Sequence, residues 1–342
     1  GTFEAYQCVA NELVKLNPMS FYDDASLVVI PSAQKTSKLY AVKPTDGSGD
    51  LAFTRTGDTA TRVNSAGLIE EVRTNLVLQS NTFSTTWINS DSTETGGQAG
   101  YDGTNNAWLL TSTILGGFIY QTVSISGQTT FSVYAKAGSQ NGLILYSVHT
   151  TQGRNFNLST GAVGGAFVAA PDSSQIQSVG NGWYRCSITI SSSSTNNFRI
   201  YVGDGSSTAL GNVVIQNSQC ERGDIATAYI PTTTAAVSVG PTANTARLDY
   251  LGSTCPRLIL EPQRQNLVTF SEQLNNAAWG KTNITITANN ATSPDGYQNA
   301  DTSLADGVNA VHIIASNLIS FTSGTAYSFS VFAKKAQTIL CN

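Results

Sequence analysis

The sequence predicts an all-β fold, an antiparallel β-sandwich that is repeated along the chain after a short N-terminal helical segment. From residue 21 to about residue 230, short apolar runs rich in β-branched and aromatic residues alternate with turns rich in Gly, Asn and Ser. No helical pattern separates these runs, which favours an antiparallel sandwich over a parallel α/β sheet. The chain also contains an internal repeat: the sequence of residues 259–271 is similar to that of residues 68–80.

The N-terminal segment is the one candidate for a helix. Phe3, Tyr6, Ala10 and Leu13 recur at three- and four-residue steps within residues 1–16, and Pro18 ends the pattern. Two interpretations stay open. The segment either docks on another protein through Phe3, Tyr6 and Leu13, or packs as a short helix on its own domain.

Strands are expected throughout the central part of the chain, at residues 118–123, 130–135, 143–148, 183–190 and 198–202. Nearer the N-terminus, residues 26–30 predict a buried strand that Pro31 ends. A hairpin is expected at residues 61–70, because Gly67 suits the left-handed position that closes the loop 64–67.

The repeat is a strong signal. Its first part matches without a gap: Glu70, Arg73, Asn75, Leu76, Val77 and Ser80 meet Glu261, Arg264, Asn266, Leu267, Val268 and Ser271. Further landmarks follow in the same order: Trp87 with Trp279, Asp102-Gly103 with Asp295-Gly296, and residues 131–136 with residues 329–334. Glu70 and Glu261 match between the repeats, so we expect each to form the same structural ion pair. The expected partners are Arg73 for Glu70 and Arg264 for Glu261.

The repeat divides the chain into three parts. Residues 1–59 form an N-terminal attachment segment, residues 60–244 the first sandwich repeat, and residues 245–342 a second, truncated repeat. Residues 180–185 and 226–232 of the first repeat have no counterpart in the second. The core strand expected at residues 325–334 then has an open edge, so either the natural protein continues or a neighbouring chain completes the sheet.

Composition excludes several classes of partner. Charged residues are 12% of the chain and the net charge is −4, so there is no basic footprint for nucleic acid or for an acidic membrane. No apolar run reaches the length of a membrane-spanning helix. The five cysteines are widely spaced and form no CxxC pair, which predicts five reduced thiols in a protein assembled in a cytoplasm.

Several segments, taken together, carry a resemblance to a known group. They are residues 26–31, 46–50, 61–70, 182–185 and 226–232, together with Arg73, Asn75 and Leu76. They resemble the repeated segments of tailed-phage fibre and head-fibre proteins, such as those of crAss-like phages, over roughly residues 20–342. The resemblance implies jelly-roll modules, similar to carbohydrate-binding modules, arrayed along a virion appendage.

The expected function is that of a non-enzymatic structural protein of the virion, a head or tail fibre whose modules act as attachment and spacer units. The N-terminal segment then attaches to capsid or tail proteins. Fibres are usually symmetric oligomers, so other copies of the chain are expected partners, with a trimer favoured and a dimer next. The expected location is the outer surface of the virion, after assembly in the host cytoplasm. The alternative is a receptor-recognition module that binds a host surface glycan.

Sugar binding requires accessible aromatic rings, with polar groups beside them. The candidates are Trp87, Trp183, Tyr184 and Trp279, with Trp108 as a further indole. Trp87 and Trp279 match between the repeats, which fits a repeated core anchor as well as a repeated platform. In a strand, Trp183 and Tyr184 must point to opposite faces.

No cofactor is expected, and calcium is the one alternative. Asp46, Ser48 and Asp50 place oxygen ligands at alternate positions, as calcium loops do. The distal bidentate Glu is missing, and an Asx turn explains the segment equally well. His149 and His312 fall at different places in the two repeats and no GxSxG elbow occurs, so no catalytic residues are expected.

Overall fold

The computed structural model describes residues 6–9, 12–15, 21–35, 37–251, 253–261 and 264–335. The chain divides into two compact units. One is Arg73–Val239, and the other combines the segments that precede and follow it. The boundaries of the compact sandwich unit therefore differ from the repeat boundaries expected at residues 60 and 244.

The N-terminal segment forms a hairpin. Strands β1 (Tyr6–Val9) and β2 (Glu12–Lys15) pair antiparallel. The prediction of a helix within residues 1–16 is therefore wrong in position. A four-residue helix, α1 (Phe21–Asp24), follows the hairpin. Val9 pairs with Glu12, and two residues between paired positions are the common spacing of a hairpin.

The three docking candidates are only partly placed by the structure. Tyr6 lies in β1 and Leu13 in β2, where it is the backbone partner of Cys8. Phe3 lies outside the described residues. Docking through these residues stays a prediction.

A small sheet follows α1, made of β3 (Val28–Lys35), β4 (Lys38–Lys43) and β5 (Leu51–Ala52). Strand β3 continues past Pro31, where it was expected to end, but its pairing with β4 is interrupted between Val29 and Gln34. An irregular strand accommodates proline because the missing N–H falls where no ladder bond is needed.

The expected hairpin is present as β6 (Thr61–Val63) and β7 (Ile69–Glu71). Gly67 has a φ of +78° in its loop, as predicted. The Asn64 side-chain oxygen accepts the backbone N–H groups of Ala66 and Leu68, both at 3.0 Å, so the loop is closed from within.

The unit Arg73–Val239 is the sandwich. Its strands are β8 (Arg73–Asn75), β9 (Ile88–Ser90), β10 (Ser92–Gln98), β11 (Ala107–Ser112), β12 (Phe118–Ser124), β13 (Gly127–Ala137), β14 (Gly142–Ser147), β15 (Gln152–Asn157), β16 (Ala162–Ala166), β17 (Ser173–Gly180), β18 (Trp183–Ser192), β19 (Thr195–Gly203), β20 (Gly211–Arg222) and β21 (Val237–Val239). The five strands expected in this region are confirmed as β12, β13, β14, β18 and β19.

These strands build two six-stranded antiparallel sheets. Sheet I has the order β10-β11-β20-β13-β18-β17, and sheet II has the order β16-β15-β14-β19-β12-β9. Strand β8 pairs separately with β21. Neighbours that are distant in sequence, such as β11 and β20, show the crossing connections of a β-sandwich, as the sequence predicted.

The two sheets share one hydrophobic core. Phe131 of β13 stacks on Phe198 of β19 with ring centroids 4.9 Å apart, and both rings are fully buried. Leu143 and Leu145 of β14 meet Ile188 of β18 in the same cluster. Each such side chain contributes about 1.5–3 kcal/mol by leaving water, so burial in this layer stabilises the contact between the two sheets.

The outward side of sheet I is covered by residues 223–232, here named the cover segment. The buried guanidinium of Arg185 donates to the carbonyl oxygen of Thr227 and, at 3.0 Å, to the Ser132 hydroxyl. Glu221 lies 4.0 Å from Arg185 and accepts the backbone N–H of Thr227 at 2.9 Å. The two sequence motifs around residues 182–185 and 226–232 are therefore the two halves of one contact.

The second unit contains smaller sheets. Its later strands are β22 (Leu248–Asp249), β23 (Arg257–Leu258), β24 (Trp279–Thr282), β25 (Ile284–Ala291), β26 (Ala300–Ala305) and β27 (Ile313–Ser316), paired as β22-β23, β24-β27 and β25-β26.

The prediction of a core strand at residues 325–334 is wrong, because no strand forms there and Phe329 is 77% exposed. Its counterpart β13 is hydrogen-bonded on both sides, by β18 and β20. Neither flanking strand has a counterpart among the described residues of the second unit.

Matched positions of the repeat make matched contacts. The indole N–H of Trp87 donates to the carbonyl oxygen of Gln79 at 3.3 Å, and that of Trp279 donates to Phe270 at 2.9 Å. Gln79 and Phe270 both adopt a positive φ, of 48° and 53°.

The repeated ion pair also exists, but with other partners than expected. Glu70 pairs with Arg62 at 2.6 Å, and Glu261 pairs with Arg247 at 2.7 Å. The first of these pairs spans a hairpin, because Arg62 lies opposite Glu70 in the β6–β7 register.

The cysteines differ from the prediction of five reduced thiols. Cys186 and Cys220 are free and fully buried in the sandwich core, and burial raises the pKa of both thiols. Cys255, in contrast, is disulfide-bonded. Sequence spacing missed this because a disulfide depends on which Cβ atoms the fold brings to about 4 Å.

Replacing Glu221 with alanine tests the cover contact. We expect Glu221→Ala to lower the free energy of unfolding by about 3–5 kcal/mol, because it leaves the Arg185 charge buried without a carboxylate. Urea unfolding followed by tryptophan fluorescence measures the change. The neighbouring exposed Arg222→Ala is the control and should stay within about 0.5 kcal/mol. A loss below about 1 kcal/mol for Glu221→Ala contradicts the assigned role.

Candidate functional site

The outward side of sheet II carries the candidate site. Along β19, Phe198, Ile200 and Val202 belong to the core, so the residues between them must point outward. The same alternation places Leu143 and Leu145 of β14 in the core. The outward residues of β12, β14 and β19 lie directly opposite one another, and four of them are aromatic: Phe118, Tyr120, Tyr146 and Tyr201.

We name this surface the aromatic face and define it by Phe118, Tyr120, Tyr146, Phe167 and Tyr201, together with Arg199. Ring centroids are 4.8 Å apart for Phe118 and Tyr201, 5.4 Å for Phe167 and Tyr201, and 5.3 Å for Tyr146 and Phe167. Tyr120 extends the row, 5.9 Å from Phe118. The rings therefore form one continuous patch across three strands.

Most of these rings are half-buried, and Tyr201 is 6% exposed. Burial raises the pKa of the Tyr201 phenol, and a hydrogen bond from Arg199 offsets part of this effect. Ile88 on the neighbouring β9 pairs with Tyr120 and is 53% exposed. The patch thus presents apolar surface to solvent beside phenol hydroxyls, the mixture found in sites for small polar ligands.

Arg199 is at the centre of the aromatic face. In the sheet register it lies opposite Tyr146 on one side and Tyr120 on the other. Its guanidinium carbon is 4.2 Å from the Phe118 ring centroid, a cation–π contact. Its Nη1 donates to the Tyr201 hydroxyl at 2.9 Å, and its Nε donates to Asn197 Oδ1 at 3.2 Å. The side chain is therefore held from three directions.

A backbone bulge brings Phe167 onto the face. The Gly153 carbonyl accepts the N–H of Phe167 at 2.9 Å, and the Gly153 N–H donates to Ala169 at 2.8 Å. Val168 is the extra residue between them, with a φ of +67° that is rare for a β-branched side chain. A Cβ on Gly153 would lie 2.9 Å from Tyr146 Cδ2. The close approach of these strands therefore requires glycine.

The tryptophans named from the sequence are buried. Trp87 is 5% exposed, Trp183 is 2% exposed and Trp279 is 9% exposed. Trp183 packs beside Tyr101 on the covered side of sheet I, with their ring centroids 6.2 Å apart. This burial favours the core-anchor alternative, because a ligand meets no free indole face at these positions.

Tyr184 and Trp108 occupy intermediate positions. Tyr184 points to the opposite side of β18 from Trp183, as expected, and packs against the main core. The indole N–H of Trp108 donates to the carbonyl oxygen of Asn81 at 2.9 Å. Neither residue lies on the aromatic face.

The candidate calcium loop has the geometry of a turn. Asp46 Oδ1 accepts the Ser48 backbone N–H at 2.9 Å and the Ser48 hydroxyl at 2.7 Å. Asp50 accepts the Ala41 N–H at 2.9 Å and pairs with Lys38 at 3.0 Å. These bonds hold the pKa of both carboxyls below the usual value. Within the described residues, no group of three or more acidic, His or Cys side chains is arranged to hold a metal.

A separate cleft of about 980 Å³ lies in the other unit. Its charged lining includes Arg55, Arg247 and Glu261. Arg55 donates to backbone carbonyl oxygens of residues 241–245, and Arg247 pairs with Glu261. Two of the three guanidiniums that line this cleft, Arg55 and Arg247, are therefore occupied in holding loops together, and the aromatic face is the stronger candidate.

The aromatic face contains tyrosine and phenylalanine but no tryptophan, so sequence reasoning that ranks tryptophan above tyrosine does not find it. The sequence does contain an indication of this face. In residues 118–120, 144–146 and 199–201, large side chains occupy successive positions, so they point to both sides of the sheet. A strand with one solvated face alternates apolar and polar residues. Aromatic residues on the second parity mark a face that is covered or that binds.

No protein-family model and no curated protein matches the sequence. Among solved structures, tailspike protein 4 of bacteriophage CBA120, in its enzymatically active domain, is 17% identical over 44% of this chain, with a TM-score of 0.26. The match spans 21% of the tailspike chain.

Two carbohydrate-binding modules are similar to the same degree. The CBM22-1 xylan-binding domain of Paenibacillus barcinonensis Xyn10C is 10% identical over 50% of this chain and all of its own, with a TM-score of 0.27. The mannan-recognising module TmCBM27 is 15% identical over 44% of this chain and 95% of its own, with a TM-score of 0.26. None of these scores reaches 0.5, so the functional argument comes from the geometry of the site.

Gly153 allows a test of how the face is built. We expect Gly153→Ala to destabilise the protein by about 1–3 kcal/mol, because the added methyl displaces Tyr146 and overpacks the bulge. The near-ultraviolet circular dichroism of the tyrosines should change as well. Gly165→Ala is the matched control, because a Cβ at that position meets nothing within 4 Å. Equal effects of the two substitutions contradict the close packing of Tyr146 on Gly153.

Proposed function

We propose that the sandwich Arg73–Val239 is a carbohydrate-binding module, which holds a saccharide chain against the aromatic face. The supporting observation is the contrast between the two outward sides. The cover segment closes sheet I, whereas sheet II presents four half-buried aromatic rings, Phe118, Tyr120, Tyr146 and Phe167, which pack around the buried Tyr201. Exposed apolar patches on a soluble domain commonly mark binding sites.

The chemistry of the face suits sugars. The faces of pyranose rings carry C–H groups that pack on aromatic rings, while their edges carry hydroxyls. Tyr120 and Tyr146 supply ring surface with a hydroxyl tip, and Asn197 supplies an amide at the border of the patch. A surface that extends across three strands favours an extended chain over a single small molecule, which prefers an enclosed pocket.

The module belongs, in this proposal, to a fibre-type structural protein of a tailed phage, displayed on the outer surface of the virion after assembly in the host cytoplasm. The repeated contacts of Trp87 and Trp279 support a modular appendage, as does a surface poor in charge. The chain then assembles with copies of itself, a trimer first and a dimer next, and with capsid or tail proteins. Its role at the host surface is binding without turnover. None of the helices in the described part of the chain is long and apolar enough to cross a membrane.

Glycan binding by the whole chain tests the proposal. Wild-type protein should bind at least one polysaccharide of a bacterial-surface glycan array saturably. Tyr120→Ala and Tyr146→Ala should each weaken that binding about 10-fold to 100-fold, because truncating a central aromatic contact commonly costs about 2 kcal/mol. Titration calorimetry measures the affinity, and thermal melting verifies that the variants fold.

Tyr40→Ala is the matched control, since Tyr40 is 39% exposed and lies in the other unit. It should leave the affinity unchanged. A chain that binds no glycan supports the spacer function over the binding function. Release of reducing ends from the bound polysaccharide contradicts binding without turnover.

A further inference from the structure

We infer that the aromatic face selects acidic saccharides, with Arg199 binding a carboxylate of the sugar chain. This inference rests on the proposed function and names the ligand class for that site. Three independent observations carry it: the unbalanced charge of Arg199, the absence of acidic residues from sheet II, and the position of Arg199 among the rings.

The partners of Arg199 are neutral. Phe118, Tyr201 and Asn197 hold its guanidinium, and no carboxylate of the described residues lies within ion-pair distance. Three other guanidiniums have an acid beside them: Arg62 has Glu70, Arg185 has Glu221 and Arg247 has Glu261. Arg199 is therefore a half-buried cation whose counter-charge the described fold does not provide.

Donors also remain on this guanidinium. An arginine side chain carries five N–H groups in a planar fork. The structure gives one bond from Nη1 and one from Nε, so the pair of N–H groups on Nη2 has no acceptor among the described residues. A carboxylate matches this fork in geometry and in charge, and hydrogen bonds between charged groups are about twice as strong as neutral ones.

The electrostatics of sheet II favour an anion throughout. Its six strands contain Arg154 and Arg199 but neither Asp nor Glu, although the whole chain has a net charge of −4. Asp91 and Asp204 lie in loops beyond the ends of β9 and β19, at the border of the sheet. An acidic saccharide that approaches the middle of the sheet therefore meets positive charge and no opposing carboxylate.

The location of Arg199 explains how charge and stacking act together. Tyr146 and Tyr120 are its cross-strand neighbours, and neighbouring strands are about 4.8 Å apart. A sugar ring packed on either tyrosine thus brings a carboxyl substituent within reach of the Arg199 fork. Low exposure limits screening by salt, so the charge contributes more here than at an open surface.

The test compares each acidic polysaccharide with its carboxyl-reduced form. Alginate, polygalacturonate and hyaluronan are the probes, each paired with the neutral polymer made from it, and titration calorimetry uses the whole chain. Wild type should bind at least one acidic form roughly 10-fold to 100-fold more tightly than its reduced partner, the range expected for a charge-assisted bond.

Arg199→Gln should remove this preference while retaining the weaker binding of the reduced form. Arg199→Lys keeps the charge without the fork and should retain part of the preference. Arg222→Gln, an exposed cation on sheet I, is the matched control and should behave as wild type.

The outcomes separate the two levels of the proposal. Equal affinity of wild type for acidic and reduced forms overturns the acidic preference and leaves glycan binding intact. An equal loss for both forms in Arg199→Gln also overturns it, because that pattern means Arg199 only positions Phe118 and Tyr201. Absence of binding to every acidic and neutral glycan contradicts the proposed function itself.

Discussion

The strict alternation of side chains along a β-strand is the constraint on which the rest of this structure depends. Two six-stranded sheets share one core, so each sheet has one side in the core and one side outside it. Every large side chain that points away from the shared core must then be covered by another segment or remain at the surface. The cover segment closes the outer side of sheet I, whereas the outer side of sheet II keeps half-buried rings such as Tyr120 and Tyr146 at the surface beside the buried Ile144 and Tyr201.

The cover of sheet I shows what a purely structural solution looks like. Arg185 is buried, and its charge is balanced by Glu221 and bonded to the segment that crosses above it. Trp183 lies beneath the same cover at 2% exposure. On sheet II, Arg199 has the same kind of aromatic surroundings but no acid. The presence of an acid beside Arg185 and its absence beside Arg199 thus distinguish the covered side of sheet I from the outer side of sheet II.

Much of the fold was predictable, because strands and tight turns are encoded locally. The runs at residues 118–123 and 198–202 became β12 and β19, and Gly67 took the positive φ that its hairpin needs. The repeat was readable because its landmark residues make the same local contacts twice, as the two indole N–H groups of Trp87 and Trp279 show. Features that depend on distant contacts were not predictable. The covering of Trp183 by residues 223–232 belongs to this class. The partners of Glu70 and Glu261 are close in sequence, but hairpin register selects them, as it places Arg62 opposite Glu70.

The functional residues were harder to find for the same reason. Tryptophan is large enough to mark either a core or a platform, and its burial depends on what folds above it. Trp183 became core because Tyr101 and Tyr229, the latter from the cover segment, pack against its cluster. Tyr146, Arg199 and Tyr120 come from three strands far apart in sequence, and only the sheet register brings them together. Likewise, the apolar spacing in residues 1–16 is compatible with a helix and with a hairpin. The pairing of residues 6–9 with residues 12–15 gives the hairpin.

Intermolecular NOEs between a bound oligosaccharide and the aromatic side chains of the whole chain test the central claim most directly. The account predicts contacts from sugar ring protons to Tyr120, Tyr146 and Phe118. Contacts confined to residues of the other unit, such as those around its cleft, would contradict it.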